Sequence, residues 1–253
     1  MIYDLQKASM WKRISAFLFD GILLGIVAVL FAWLLSMALG YDRYNATLNA
    51  AYDRYGEEYQ VDMRPGMAEY EALGEEDRAR LDSAYAALGA DQGAVKAYNM
   101  IIQLTLLITS IGILLAYLGL EFVVPLLFGN GQTLGKKIFS LGVMSAEGIK
   151  LTPVALFIRT VLGKYTIETM IPVLILLMLY WGSIGIVGPI VLLLILVVQL
   201  AVLIGTRTNS LIHDLLATTV VVDLPSQMIF NTREDIIAYK ERVHAEQAAR
   251  EPY

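Results

Sequence analysis

Charged residues vanish from this chain in three long intervals. Asp20 is the only charge between Ile14 and Tyr41, Glu121 the only one between Met100 and Gly129, and Glu168 the only one between Lys164 and Arg207. A helix needs about 20 apolar residues to cross the hydrocarbon of a bilayer, and each interval exceeds that. The pattern predicts a first span from Trp11 to Gly40 and a second from Asn99 to Phe128. The third apolar run, Thr169 to Thr206, holds 38 residues without a charge. As one helix it would be about 57 Å long, nearly twice the hydrocarbon thickness. It is therefore read as two spans, parted where turn residues gather at Gly182-Ser183-Ile184-Gly185 and Gly188-Pro189.

Between the first two spans the pattern turns polar but stays helical. Tyr41, Tyr44, Tyr52, Tyr55 and Tyr59 recur at helical spacing. Pro65-Gly66 interrupts, and Glu75 to Leu88 predicts a second helix with Leu81, Tyr85 and Leu88 on one side. Tyr-Asp-Arg-Tyr occurs twice, at 41–44 and 52–55, too few copies for a repeat architecture. After the second span, Leu141 to Leu151 suggests a small β-hairpin turning at Glu147-Gly148. Thr152 as N-cap and Pro153 at the first helical position then open a short helix to about Gly163. It is too short to span and is read as interfacial or re-entrant. Asn231 to Ala249 predicts a capped amphipathic helix carrying Ile236, Ile237 and Val243.

The fold class that follows is an all-α polytopic membrane protein with four transmembrane helices, a short interfacial helix, a small β-hairpin and a helical insertion. Its segments are 1–40, the insertion 41–98, 99–129, the hairpin and short helix 130–164, the paired spans 165–206, and the tail 207–253.

Composition agrees. Hydrophobic residues make up 57% of the 253 and charged residues 17%, against about 25% charged in soluble domains. That excludes an ordinary cytosolic enzyme. The absence of cysteine excludes disulfides and thiolate metal sites, and two histidines make a histidine-rich metal centre a poor fit. No cofactor is expected. Six Lys and Arg against twelve Asp and Glu lie within 40–99, while the rest of the chain carries thirteen against twelve. Basic residues collect at Lys7, Lys12 and Arg13, at Lys136, Lys137, Lys150, Arg159 and Lys164, and along the tail at Arg207, Arg233, Lys240, Arg242 and Arg250. The positive-inside rule then places both termini in the cytoplasm and the acidic insertion outside, in a cell (inner) membrane. The first span is too long for a cleaved signal peptide, whose apolar core runs to about 7–15 residues.

A charge inside the membrane needs a partner or a job. Arg13 and Asp20 are seven residues apart, two helical turns, and share a face of span one. Asp20 and Glu121 fall at matching depth, so a cation, a proton or Arg159 is expected between them. Glu121 and Glu168 each stand four residues before a proline, Pro125 and Pro172. Proline lacks an N–H and pushes away the carbonyl of residue i−4, which in both helices is the glutamate's own. The pairing of carboxylate and freed carbonyl offers hard oxygens to a cation; the alternative is a kink whose carbonyl is satisfied by Ser, Thr or water.

Arg13-Ile-Ser-Ala16-Phe-Leu-Phe-Asp20 resembles the Arg-x-x-Ala-x-x-x-Asp opening of the RDD family of bacterial and archaeal membrane proteins. Glu121, Gly131-Gln-Thr-Leu-Gly-Lys136, Leu141-Gly-Val143, Arg159 and His213-Asp214-Leu-Leu-Ala217-Thr-Thr219-Val-Val221 are similar to its later motifs in order and spacing. The resemblance omits 41–98 and the tail after Asp223. Ser140 and Thr218 stand where the family usually has Gly, and Gly142 where it has Arg. The resemblance implies Arg13, Asp20 and Asp214 as the namesake positions, and transport, including sodium/proton exchange, as the activity.

Other motifs fail. Gly129 to Lys137 resembles a phosphate-binding loop, but its first Gly is one place early and Lys137 replaces the Ser or Thr. It is read instead as an interfacial turn whose lysines meet lipid headgroups. His213 and Asp214 are adjacent, so they are expected to point apart on a helix, and no nucleophile accompanies them. The expectation is a non-enzymatic transporter of a small solute or monovalent cation, working through Asp20, Glu121, Glu168 and Arg159 as a homo-oligomer or membrane complex in the lipid bilayer, with no nucleic-acid partner. The competing reading is a non-transporting subunit that recruits a partner through its insertion or tail.

Overall fold

A computed structural model describes residues 8–250. Lys7 therefore lies outside the described residues, as does the side chain of Arg250. Four helices among the described residues are long and apolar enough to cross a membrane: Met10–Leu39, Gln92–Phe128, Pro153–Tyr180 and Val187–Gly205. The chain divides into two compact units, one of residues up to Val29 together with those from Ile113 on, the other Leu30–Gly112.

The smaller unit is helical, with a polar middle between the apolar ends of two spans. Helix α1 (Met10–Leu39) ends at Gly40, whose left-handed backbone (φ 69°) starts α2 (Tyr41–Tyr59). After α3 (Met67–Ala72) and α4 (Glu75–Ala90) the chain enters α5 (Gln92–Tyr117). Ala51, Met63, Leu81, Ala84, Leu88 and Ala94 form its core, with Tyr52, Tyr55 and Tyr59 of the predicted stripe packed on it. Tyr85 is largely exposed, but its hydroxyl donates to the Met63 carbonyl at 2.5 Å. The insertion packs on itself, as the tyrosine spacing implies.

In the larger unit, two spans depart from α-helical geometry in the same way. α5 widens into a π-helical segment, Leu118–Val123, before α6 (Val124–Phe128). Likewise α8 (Pro153–Phe157) passes into a π-helical segment, Ile158–Met170, and then α9 (Ile171–Tyr180). Each π segment ends two residues before a proline, Pro125 or Pro172, so that the proline falls in the first turn of the following helix, where its missing N–H is not needed. The short interfacial helix expected over 153–163 is thus not a separate element. No residue between Gly163 and Thr169 breaks a helix, and the chain runs unbroken from Pro153 to Tyr180. Gly182 (φ 68°) and Gly185 (φ 47°) turn it into α10 (Val187–Gly205).

The remaining elements gather at one end of the spans. They are α7 (Leu134–Ile138), strand β1 (Leu141–Ser145), α11 (Ile212–Leu216), strand β2 (Thr219–Asp223) and α12 (Arg233–Arg250). A tight turn does form at Glu147-Gly148, with a single bridge from Met144 to Lys150. The main partner of β1 is β2, antiparallel, in register from Leu141 opposite Asp223 to Ser145 opposite Thr219. This corrects the hairpin expected within 141–151. The Val220-Val221-Val222 run of β2 offers two apolar faces that Ile149 to Leu151 do not. By strand alternation, Leu141, Val143 and Val221 face Ala16 of α1, while Met144, Val220 and Val222 face Ile229. Helix α12 begins as predicted, with Thr232 and Asp235 exchanging side-chain to backbone bonds at 3.2 and 3.0 Å.

Candidate functional site

Four acids and four bases meet within the larger unit. Arg13 and Asp20 come from α1, Glu121 from the first π-helical segment, Lys136 from α7, Arg159, Lys164 and Glu168 from the second π-helical segment, and Asp214 from α11. They line a cavity of about 400 Å³ together with His213, Gln199 and apolar residues.

Asp20 faces the first turn of α7. Its carboxylate accepts from the Thr133 hydroxyl at 2.5 Å and from the Gly135 N–H at 2.7 Å, with Lys136 Nζ at 3.9 Å. Gly135 permits this approach: a Cβ there would lie 2.5 Å from the Ala16 carbonyl oxygen and 2.9 Å from the Asp20 carboxylate. The Gly131 to Lys136 turn is therefore a carboxylate cradle. Lys136 is buried within the protein rather than reaching headgroups, since Thr133 caps α7 and turns that lysine inward. Lys137 instead lies over the Phe128 ring at 3.7 Å.

Glu121 pairs with Lys164 at 2.6 Å. Its backbone carbonyl, freed by Pro125, accepts from the Thr160 hydroxyl at 2.9 Å. Of the two readings open in the sequence, this carbonyl follows the one in which a threonine satisfies the kink. Asp20 and Glu121 thus do not both bond Arg159; the cation that faces both is Lys136. The nearest lysine differs between them, Lys164 of the second π-helical segment at 2.6 Å from Glu121 and Lys136 of α7 at 3.9 Å from Asp20.

Arg159 binds Asp214, donates to Thr219 Oγ1 at 2.9 Å, and lies 3.0 Å from His213 Nε2. Arg13 approaches the same Asp214 at 3.9 Å and donates to the Thr208 carbonyl at 3.2 Å. Two of the three namesake positions, Arg13 and Asp214, come together here, with Arg159 the closer partner. Guanidinium is only a donor, so His213 Nε2 must accept, which places the ring proton on Nδ1. That proton points at Glu168 Oε2, 2.7 Å away, and the His213 N–H donates to Glu168 Oε1 at 3.0 Å. Burial holds His213 below its ordinary range, and Arg159 adds to that against the raising pull of Asp214, so the ring is neutral at pH 7. For Asp214, burial opposes ionisation, but Arg159 outweighs it and keeps the carboxyl well below the usual carboxylate range.

His213 and Asp214 do not point apart, as adjacency on a helix suggests. α11 has only five residues, and both side chains reach back to Arg159. The close approach depends on Gly163, where a Cβ would sit 2.5 Å from His213 Cβ. Lys136, Lys164, His213 and Gln199 are site residues that sequence reasoning passed over. The two lysines carry a signal in hindsight, since each lies four or fewer residues from a buried Thr with an apolar neighbour between them.

A family model described as the RDD family matches residues 7–218. No curated protein and no solved structure matches. The matched stretch contains every charged side chain of the cavity, and the chain belongs to the RDD family.

Proposed function

We propose that this membrane protein is a transporter of a small solute that binds in the charged cavity, with a proton moving through the Glu168–His213 pair. One observation carries the reading. The cavity lies among spanning helices and has charged walls, and Gln199 Oε1 is buried there with no hydrogen-bond partner. A buried acceptor without a partner costs about 1–3 kcal/mol, a cost that a bound solute donating to Gln199 would remove. Sodium/proton exchange at Asp20 and Glu121 is a narrower version. It requires Lys136 or Lys164 to leave its carboxylate first.

Proton coupling has a definite geometry. His213 accepts from Arg159 and donates to Glu168, so a proton added at Nε2 faces the guanidinium and breaks that contact. Arg159 is then free to shift on Asp214. Glu168 also accepts from the Gln199 amide, which ties the proton site to α10. Four spans are few for alternating access, so the working unit is a homo-oligomer. The protein is read as non-enzymatic, in the cell inner membrane, with both termini cytoplasmic and residues 41–98 outside. A thiol-reactive, membrane-impermeant label should reach a cysteine at position 75 in intact cells, and one at position 145 only after permeabilisation; the reverse would overturn the orientation.

The deciding experiment is flux in proteoliposomes under imposed proton and sodium gradients. Proton-coupled flux should scale with protein, and H213Q should lose the coupling while remaining folded. Absence of flux in every oligomeric state would favour the partner-recruiting subunit, a reading that the self-packed core of the 41–98 insertion also suits.

A further inference from the structure

The hydrogen-bond capacity left over in the cavity is unequal between its acids and its bases. Both oxygens of Asp20 and both of Glu168 accept good bonds. Asp214 Oδ1 accepts from both Arg159 and Thr219. Lys136, by contrast, has three N–H donors and gives one side-chain bond, to Thr133 Oγ1 at 3.2 Å, with its carboxylate partner as far as 3.9 Å. It is nevertheless only 8% exposed. Arg13 has five donors and gives one bond, at 3.2 Å, with Asp214 at 3.9 Å. Both line the cavity. Glu121 accepts from Lys164 through Oε2, so each acid holds at least one short bond, whereas Lys136 and Arg13 hold none under 3.2 Å.

From that imbalance we infer that the cavity takes an oxyanion, a carboxylate or phosphate group, with Lys136 and Arg13 as its donors. The inference names the substrate class of the transport site and rests on that reading. A cation would find both oxygens of Asp20 and of Glu168 already occupied. An oxyanion would complete the lysine and guanidinium shells with charge-assisted bonds. The wall beside these donors is apolar, formed by Ile14, Phe17 and Leu24 of α1 and Leu203 of α10. Phe17 is 66% exposed, and on a spanning helix that exposure is to acyl chains. The oxyanion is therefore either the head of a lipid-like molecule entering from the bilayer or a free anion entering from water.

Protonation of Lys136 adds a second handle. Burial, reinforced by Lys164, pulls its ammonium down to about 8. The groups facing it are Asp20 from α1, Glu121 from the first π-helical segment, and Arg159 and Lys164 from the second. As pH rises through that value the site loses a positive charge and its hold on the anion.

The test uses the full-length protein in maltoside micelles and reads ligand-induced thermal stabilisation with laurate, inorganic phosphate and dodecyltrimethylammonium. At least one of the two anions should stabilise the wild type at pH 7 and less at pH 9.5. Laurate alone marks a lipid-borne head group; phosphate marks a soluble one. Lys136→Gln should weaken the effect roughly ten- to hundredfold, and Lys136→Arg should retain it. If Lys136→Gln does not fold, Lys136→Arg and the wild-type pH series decide. No stabilisation by either anion, equal stabilisation by dodecyltrimethylammonium, or full anion stabilisation at pH 9.5 would overturn the inference. Anion binding without flux would remove transport and leave the site, whereas flux without anion binding would do the opposite.

Discussion

Replacing Asp214 by Asn removes the one negative charge that Arg159 and Arg13 share. Asp214 is 1% and Arg159 3% exposed, so the Arg159 guanidinium finds no water in exchange. Breaking a buried pair by deleting one partner costs roughly 3–5 kcal/mol, because the other charge stays behind unpaired. Asn keeps the shape and still accepts from Thr219, which places the expected loss near 3 kcal/mol at the lower end of that range. At about 2–4 °C per kcal/mol for a chain of this size, the melting temperature should fall by roughly 6–12 °C. Asp223→Asn is the control. Its bridge to Lys12, at 2.6 Å, joins side chains 43% and 19% exposed, and such pairs contribute about 0–1 kcal/mol. The assay is heating in micelles, followed by the fluorescence of Trp11, Trp33 and Trp181. The sign with pH is fixed as well. A carboxyl held below its unfolded value contributes stability that is complete above about pH 4 and is lost as pH falls through the folded value. The gap between wild type and D214N should therefore be full at pH 7 and narrow in acid. Equal shifts for the two variants, or a more stable D214N, would refute the assignment of Asp214 as a buried counter-charge.

Two further outcomes follow from backbone geometry. Ser140 (φ 57°) and Thr218 (φ 52°) are left-handed, and these are the two places where the family pattern has Gly; Thr218→Gly should raise stability by about 0.5–1 kcal/mol, the left-handed strain released less the entropy of a glycine, with Ser140→Gly giving no more, measured by the same melts. Gly163→Ala should lose about 1–3 kcal/mol by overpacking against His213, whereas Gly119→Ala, with nothing within 4 Å of the added Cβ, should be neutral or stabilising; equal melting of the two alanine variants would count against the close approach of α11.

The spans were legible because charge depletion over 20 residues leaves few alternatives to a membrane helix. The tyrosine stripe and the capped tail helix were legible for the same kind of reason, a period longer than chance. The Glu–Pro coincidence also pointed to a real feature, since both prolines terminate π-helical segments. What failed was pairing. Nothing local in Leu141 to Leu151 says that the partner strand lies beyond the fourth span at Thr219–Asp223. Lys136 and Lys164 counted as topology charges, and their burial follows from Gly135 and Thr160 touching elements distant in sequence. Adjacent residues point apart along a continued helix, but the five-residue α11 lets His213 and Asp214 both reach Arg159.

The second π-helical segment explains why the site is hard to read and how it is built. On an α-helix, residues five apart point about 140° away from each other, so Arg159 and Lys164 should diverge. Here the ladder closes over five residues, as where the Ile171 N–H bonds the Thr166 carbonyl; the Thr166 side-chain hydroxyl also donates to the Val161 carbonyl at 2.8 Å. Residues five apart are brought closer to one face than on an α-helix, and Arg159, Thr160, Gly163 and Lys164 are all buried. The wider turn is thus what lets one helix deliver a guanidinium to Asp214, an ammonium to Glu121 and, four residues later, a carboxylate to His213. π-Helical geometry is rare and occurs mostly as single-turn bulges, frequently at functional sites. Pro172 opens the next helix two residues past the end of this segment, and three of the segment's charges, Arg159, Lys164 and Glu168, line one cavity.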